Sequence, residues 1–335
     1  MNSRPVGVRI ASLLALAPIA VSLSPAAASA QAPPVQPAPH VNEPIAVTQD
    51  VAKPSIGNGA IAWAVLDHPF DNAPGTTIWT LRDGQPMRVV RLAQLRAWRL
   101  EAGTDATGKP VAIVSALPQA GTPTPFHLVR LDDGGVQRLR LGPQARLASD
   151  VAIDAGRVLY TTSSRSRTAG ARSSLWSAQL DAGGLIQRKR LRHSRRGVTF
   201  VTVRADRSRI AVTGYDPMPP KSAGLAAYLP LYAGTARGIW RKVGNGGELE
   251  GGTLDAEAAG FTRHGRHVIV TKASGAHESF SVKRVSLRSG ATKQQLGGIG
   301  VPEIAAAYDP ASRRLLLSSF LPAGGYQLGW SRVLG

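Results

Sequence analysis

One short phrase recurs along this chain of 335 residues. "DAGRVLYTT", Asp154 to Thr162, reads as a tight turn running into an apolar strand. Its echoes are "GNGAIAWAV" (57–65), "TGKPVAIVS" (107–115), "DRSRIAVTG" (206–214), "HGRHVIVTK" (264–272) and "ASRRLLLSS" (311–319). Aligned on the first apolar strand residue (Ile61, Val111, Val158, Ile210, Val268 and Leu315), successive copies lie 50, 47, 52, 58 and 47 residues apart. A period of about 40–50 residues with strand signals throughout belongs to stacked four-stranded units, each of which buries its flat sides only against its neighbours. The 3.6-residue periodicity that a helical repeat of that length requires is missing.

Each unit repeats an internal order. A weakly apolar strand, such as "SDVAI" (149–153) or "VTFVTV" (198–203), leads through a turn into the strongly apolar phrase. After a variable loop comes a strand with an aromatic residue, as in "TTIWTL" (76–81), "FHLVRL" (126–131) and "SLWSAQL" (174–180). In the fourth unit "GIWRKV" (238–243) fits that third position, followed by Asn245-Gly246-Gly247 as its turn. Asp83-Gly84 is a turn of the same kind, permitting the positive φ of a two-residue hairpin. Strands such as "VQRLRL" (136–141) and "IQRKRL" (186–191) then interleave basic and apolar residues, which suits an outer edge protected from pairing by charge. The second strand is apolar on both faces, as a strand sandwiched between two blades must be. These features predict an all-β, six-bladed β-propeller. The sixth unit ends after its third strand, and "PIAVTQD" (44–50) is strand-like, so the N-terminal strand is expected to complete the last blade and close the ring.

Phrases such as "TGKPVAIVS" followed by "FHLVRLDDGG" resemble the WD-type repeats of TolB-like propellers, over roughly residues 45–334. The Pro-Asp-Gly turn usual in that family is replaced here by looser versions, such as Asp154-Ala155-Gly156-Arg157 and His264-Gly265-Arg266. The resemblance implies the architecture of a bacterial repeat protein.

Outside the repeats, Arg4 and Arg9 precede an apolar run from Ile10 to Leu23, and Ala28-Ser29-Ala30 forms a small-x-small cleavage site. Residues 1–30 therefore read as a signal peptide. Residues 31–44, with five prolines in fourteen, read as an extended linker, and 45–335 as the propeller. The expectation is a secreted protein, periplasmic or extracellular, without a membrane span once the signal is cleaved. There is no cysteine, so the fold must stand on burial and sheet hydrogen bonds.

The formal net charge of +19 favours anionic partners. The partner expected is an envelope protein or an anionic cell-wall polymer. Specific nucleic-acid binding is not expected, because the aromatic interleaving that stacks bases is absent. No cofactor and no metal site is expected, and the protein is expected to be a monomer. Loops on a rigid scaffold carry most binding. They supply the candidate binding residues Asp67, His68, Arg165, Arg167, Arg172, Tyr215, Asp216, Lys221, Tyr228, Tyr232 and His277. The segment 215–237 reads as an aromatic, proline-rich insertion. No nucleophile elbow, zinc-helix motif or phosphate-binding glycine loop occurs, so the chain is expected not to be an enzyme but a binding or scaffolding module of the cell envelope. The competing readings are a hydrolase or lyase with a polar site at the channel mouth, built from Asp67, His68, Asp71, Asp216, His277 and Glu278, and polyanion binding through a basic face made by Arg165, Arg167, Arg172 and Lys221.

Overall fold

The computed structural model describes residues 40–334 except 51–52, 69–72, 117–123, 141–147, 164–172, 182–183, 195–196, 208, 216–226, 236–239, 250–254, 274–278, 300–302 and 323. Among these residues every regular element is a strand. The first, β1 (Glu43–Thr48), stands apart from its neighbours in sequence. Blade one then follows as β2 (Lys53–Gly57), β3 (Ala60–Leu66), β4 (Thr76–Arg82) and β5 (Gln85–Leu92). Blade two is β6 (Ala97–Thr104), β7 (Pro110–Ala116), β8 (Phe126–Arg130) and β9 (Val136–Leu139). Blade three is β10 (Ala148–Asp154), β11 (Arg157–Ser163), β12 (Ser173–Asp181) and β13 (Gly184–His193). Blade four is β14 (Thr199–Asp206), β15 (Arg209–Tyr215), β16 (Ala227–Thr235) and β17 (Trp240–Leu249). Blade five is β18 (Asp255–Phe261), β19 (His267–Ala273), β20 (Ser279–Ser286) and β21 (Thr292–Ile299). Blade six supplies only β22 (Glu303–Asp309), β23 (Arg314–Phe320) and β24 (Tyr326–Trp330) in sequence order.

Six antiparallel four-stranded sheets result, and the sixth has the order β1-β24-β23-β22. The expected six-bladed propeller is the observed fold, and β1 closes the ring. Glu43 pairs with Trp330, Ala46 with Leu328 and Thr48 with Tyr326. Side chains reinforce the seam: Arg314 Nη1 donates to Glu43 Oε2 at 2.9 Å, and its guanidinium lies 5.4 Å from the Trp330 ring centre. The innermost strands β2, β6, β10, β14, β18 and β22 contact one another in turn, and β22 contacts β2.

The apolar core is divided among the blade boundaries, one cluster to each of the six. Val111, Ile113, Val151, Ile153, Val158 and Tyr160 fill the boundary between blades two and three. Trp63, Leu316 and Leu328 fill that between six and one. Period-2 alternation in the second strands feeds two clusters at once. Val111 and Ile113 turn toward blade three, and Ala112 and Val114 toward blade one. Leu315 and Leu317 face blade five, while Leu316 faces blade one. The residues on which the six repeats align all sit in these doubly buried second strands.

Close approach of the inner strands depends on glycine. A Cβ on Gly57 would lie 2.2 Å from the Ala102 carbonyl oxygen of the next blade, and one on Gly103 would lie 2.4 Å from that of Ile153. Turns joining first to second strands and third to fourth strands share one face of the ring; the second-to-third and inter-blade connections share the other.

The fourth blade departs from the sequence reading. Its third strand is β16, inside the segment read as an insertion, and Asn245-Gly246-Gly247 lies within β17 rather than in a turn. Pro230 hid the strand, since proline cannot donate to a sheet ladder. Here it sits opposite Asn245 at a register shift between Leu229 and Pro230, where a missing donor is tolerated.

Candidate functional site

Of the eleven expected binding residues, Arg165, Arg167, Arg172, Asp216, Lys221 and His277 lie outside the described residues, as do Asp71 and Glu278. Tyr215 ends β15 and Tyr228 lies in β16. Tyr232 belongs to the core: it packs on the cluster between blades three and four and meets Phe200 edge-on, ring centres 6.1 Å apart. It is held on a strand, not on a lid.

Asp67 and His68 follow β3 on the loop face. The Asp67 carboxylate accepts from Thr77 Oγ1 at 2.9 Å and from Arg91 Nε at 2.7 Å. Burial pushes its pKa up, but the hydrogen bonds from Arg91 and Thr77 and the arginine's charge outweigh it and hold the group below the ordinary aspartate value. An ionised, arginine-paired carboxylate fastens its loop to β4 and β5; it is not poised as a general base. At His68 the backbone oxygen accepts from Arg96 Nη1 at 2.9 Å.

Sequence reasoning missed a charged group at the ring centre. Arg204 projects from β14 onto Glu101 of β6, and its Nη1 lies 3.9 Å from Asp150 Oδ2 of β10. Arg99 Nε lies 3.7 Å from Asp150 Oδ1. Ser55 Oγ donates to Glu101 Oε2 at 3.1 Å and accepts from the Ala102 N–H at 3.0 Å. The Val203 N–H donates to Asp150 Oδ2 at 2.7 Å. Both carboxylates are buried. The group satisfies buried inner-strand N–H groups and cross-links four blades. Its sequence signal was a charge set inside each of three otherwise buried strands, "AWRLEAGT", "ASDVAID" and "TFVTVRAD".

The outer rim of blades two and three carries a second constellation. Arg138 and Arg140 are exposed at and just beyond the end of β9, and Arg188, Lys189 and Arg190 are exposed along β13. Arg188 Nη2 reaches across the blade boundary to the Arg140 carbonyl oxygen at 2.8 Å. Arg190 lies over Trp176, 5.9 Å from its ring centre, and Trp176 stacks in turn on buried Tyr160 with ring planes 7° from parallel. A register irregularity in the β12–β13 pairing between Ser177 and Gln179, with Gln187 at φ 50°, sets Arg188 and Arg190 on one face of β13 and Lys189, opposite Ser177, on the other. Arg188 and Arg190 both lean toward blade two. Arg188 and Arg190 thus lie along one boundary, where guanidinium groups can grip phosphate or carboxylate oxygens.

No family model and no curated protein matches this chain. Among solved structures, the chain is similar to the β-propeller domain of the Trilobed protease from Pyrococcus furiosus, at 9% identity and TM-score 0.48, covering 85% of this chain and 96% of that one. It is also similar to an oligogalacturonate lyase from Vibrio parahaemolyticus, at 8% identity and TM-score 0.43, covering 88% and 79%. A puromycin-hydrolyzing peptidase of Mycobacterium tuberculosis aligns at 12% identity and TM-score 0.43, over 86% of this chain and 54% of that one. The expectation that the chain is not an enzyme is corrected by these findings. Propellers of this kind occur in a lyase and in peptidases, so the lack of a catalytic motif in the sequence does not exclude catalysis. At such identities and TM-scores the likeness assigns no role, and the six-bladed β-propeller is read from the six sheets themselves.

Proposed function

We propose that this protein is an exported recognition propeller of the bacterial cell envelope, and that it holds an anionic polymer along the rim of blades two and three. The observation that carries this reading is the Arg188–Arg140 bridge, which joins the basic outer strands of two blades into one ridge. Alternate residues on a strand are about 6.6–6.8 Å apart, a spacing that suits the repeating charges of a linear polyanion. The net charge of +19 draws such a polymer in, and the signal-like N-terminus and TolB-like repeat phrases support an envelope setting.

The test uses the chain without residues 1–30 and two probes, linear polyphosphate and neutral dextran. Affinity for polyphosphate should fall steeply with salt, and dextran should not bind. Replacing Arg138, Arg140, Arg188 and Arg190 together by Gln should flatten the plot of log affinity against log salt by up to about 3.6, from roughly 0.9 per neutralised charge on a dense polyanion. A variant that keeps the parent's affinity and slope refutes the rim as the binding surface.

A further inference from the structure

On the turn face, between blades five and six, a concavity of about 380 Å³ opens. It is independent of the rim and lies two to three blades away around the ring. Its walls carry Arg263, His264 and Arg266 from the turn after β18, His267 at the start of β19, Arg284 of β20 and Arg313 from the turn after β22. Four guanidinium groups and two imidazoles thus converge from both blades, and no carboxylate is among the residues lining the space. The neighbouring acid, Asp309, is spent on its own turn: Oδ1 accepts from the Ala311 N–H at 2.9 Å and Oδ2 from the Ser312 N–H at 3.1 Å.

The walls are built, not draped. The turn after β18 is held by Thr262 N–H to the His267 oxygen at 3.0 Å and Gly265 N–H to the Thr262 oxygen at 2.5 Å. Arg313 is fixed at its backbone and at the tip of its side chain. Its N–H donates to the Asp309 oxygen at 2.9 Å, and its Nη2 donates to the Leu334 oxygen at 3.1 Å. It holds a positive φ of 59°, as Asn58, Ala155 and Arg207 do in the matching turns of other blades. Buried Ile269, Tyr308 and Leu334, which also line the space, belong to the apolar cluster between the two blades and give it a rigid floor.

Positive groups lining one hollow favour a bound oxyanion. Burial, then the charges of Arg284 and Arg266, hold the His267 pKa below the ordinary histidine value. Burial holds the Tyr308 phenol above its usual value despite the charges of Arg313 and Arg284. A neutral imidazole and a protonated phenol are both hydrogen-bond donors to an oxyanion. The volume is at the lower end for small-molecule sites, which run from roughly 300 to 1,000 Å³.

We infer that this pocket is a binding site for one compact oxyanion of at least two charges, a phosphate ester or a polycarboxylate, gripped by Arg263, Arg266, Arg284 and Arg313. Guanidinium forks match the paired oxygens of either group. The site stands whether or not the rim binds polymer.

Titration calorimetry of the chain without residues 1–30, at fixed ionic strength, tests this with pyrophosphate, citrate and acetate. One-to-one saturable binding of pyrophosphate or citrate, with acetate at least tenfold weaker, is the expected result. Preference between the first two assigns the phosphate or the carboxylate source. Arg263 and Arg266 are exposed turn residues, so R263Q/R266Q should fold as the parent does, checked by its melting temperature, and should weaken the preferred anion at least tenfold. Substituting the four rim arginines should leave this affinity unchanged. Absence of saturable binding to both multivalent probes overturns the inference. So does binding that R263Q/R266Q retains, or binding that the rim variant abolishes.

Discussion

Replacing Arg204 by Met would test the charged group at the ring centre. Arg204 is the hub that reaches Glu101 in blade two and Asp150 in blade three from its own place in blade four. Methionine keeps much of the aliphatic stem and removes the guanidinium. Removing one partner of a buried ion pair costs about 3–5 kcal/mol, because the other charge stays desolvated. Ser55 still donates to Glu101, and the Val203 N–H and Arg99 still attend Asp150. These remaining contacts put the expected loss at the lower end, about 3 kcal/mol. At roughly 2–4 °C per kcal/mol for a domain somewhat smaller than this one, the melting temperature should fall by about 6–12 °C. Urea and thermal unfolding followed by circular dichroism would measure it. The second arm is E101Q in the R204M background. With the uncompensated charge gone, the double variant should recover a large part of the loss, with a coupling of about 1 kcal/mol or more between the two positions. If R204M lies within about 1 kcal/mol of the parent, or if E101Q adds to the damage instead of relieving it, then Arg204 is not the compensating charge.

Two further outcomes are expected. Gly57→Ala places a Cβ 2.2 Å from the Ala102 carbonyl oxygen, so the first two blades must separate, and stability should drop by about 1–3 kcal/mol in urea unfolding; an unchanged midpoint would show that the inner strands are not in tight register. His127, on β8, has its pKa lowered by burial and then by the charge of Arg138. The unfolded chain therefore binds this proton more readily, and stability is lost as pH falls below about 6.5, the value in the unfolded chain, toward the lower folded value. H127Q should show a smaller drop in melting temperature between pH 7.5 and 5.5 than the parent, and an equal or larger drop would contradict the assignment.

The architecture was legible because its signals are local. Val111 to Val114, or Leu315 to Leu317, announce a strand buried on both sides within a few residues. Asp83 and Gly84, at φ 50° and 77°, announce their hairpin in two. Where a local signal was contradicted, the reading slipped. Pro230 spoke against the strand that holds it, and Asn245-Gly246-Gly247 imitated a turn inside β17. Tyr232 was placed on a loop for the same reason. The charged hub was not legible, because Arg204 and Glu101 are 103 positions apart and only ring closure brings them together. In the basic pocket, His264 and His267 were visible as neighbours in one turn, but Arg284 and Arg313 arrive from another strand and another blade. Charges that converge in space from separate repeats leave no spacing in the sequence to find.

The pairing of β1 with β24 sets an order on how this molecule can come into being. Five sheets are made from contiguous stretches and can form as those stretches become available, with short loops to close. The sixth needs a strand from near the start and three from the end, so its loop spans almost the whole protein and carries the largest closure entropy. During synthesis, Glu43 to Thr48 emerges early and waits with its backbone donors and acceptors unmatched until Tyr326 to Trp330 appears. Until that moment the molecule is an open crescent with two sticky ends, and its final fastening is the step most exposed to capture by a second copy.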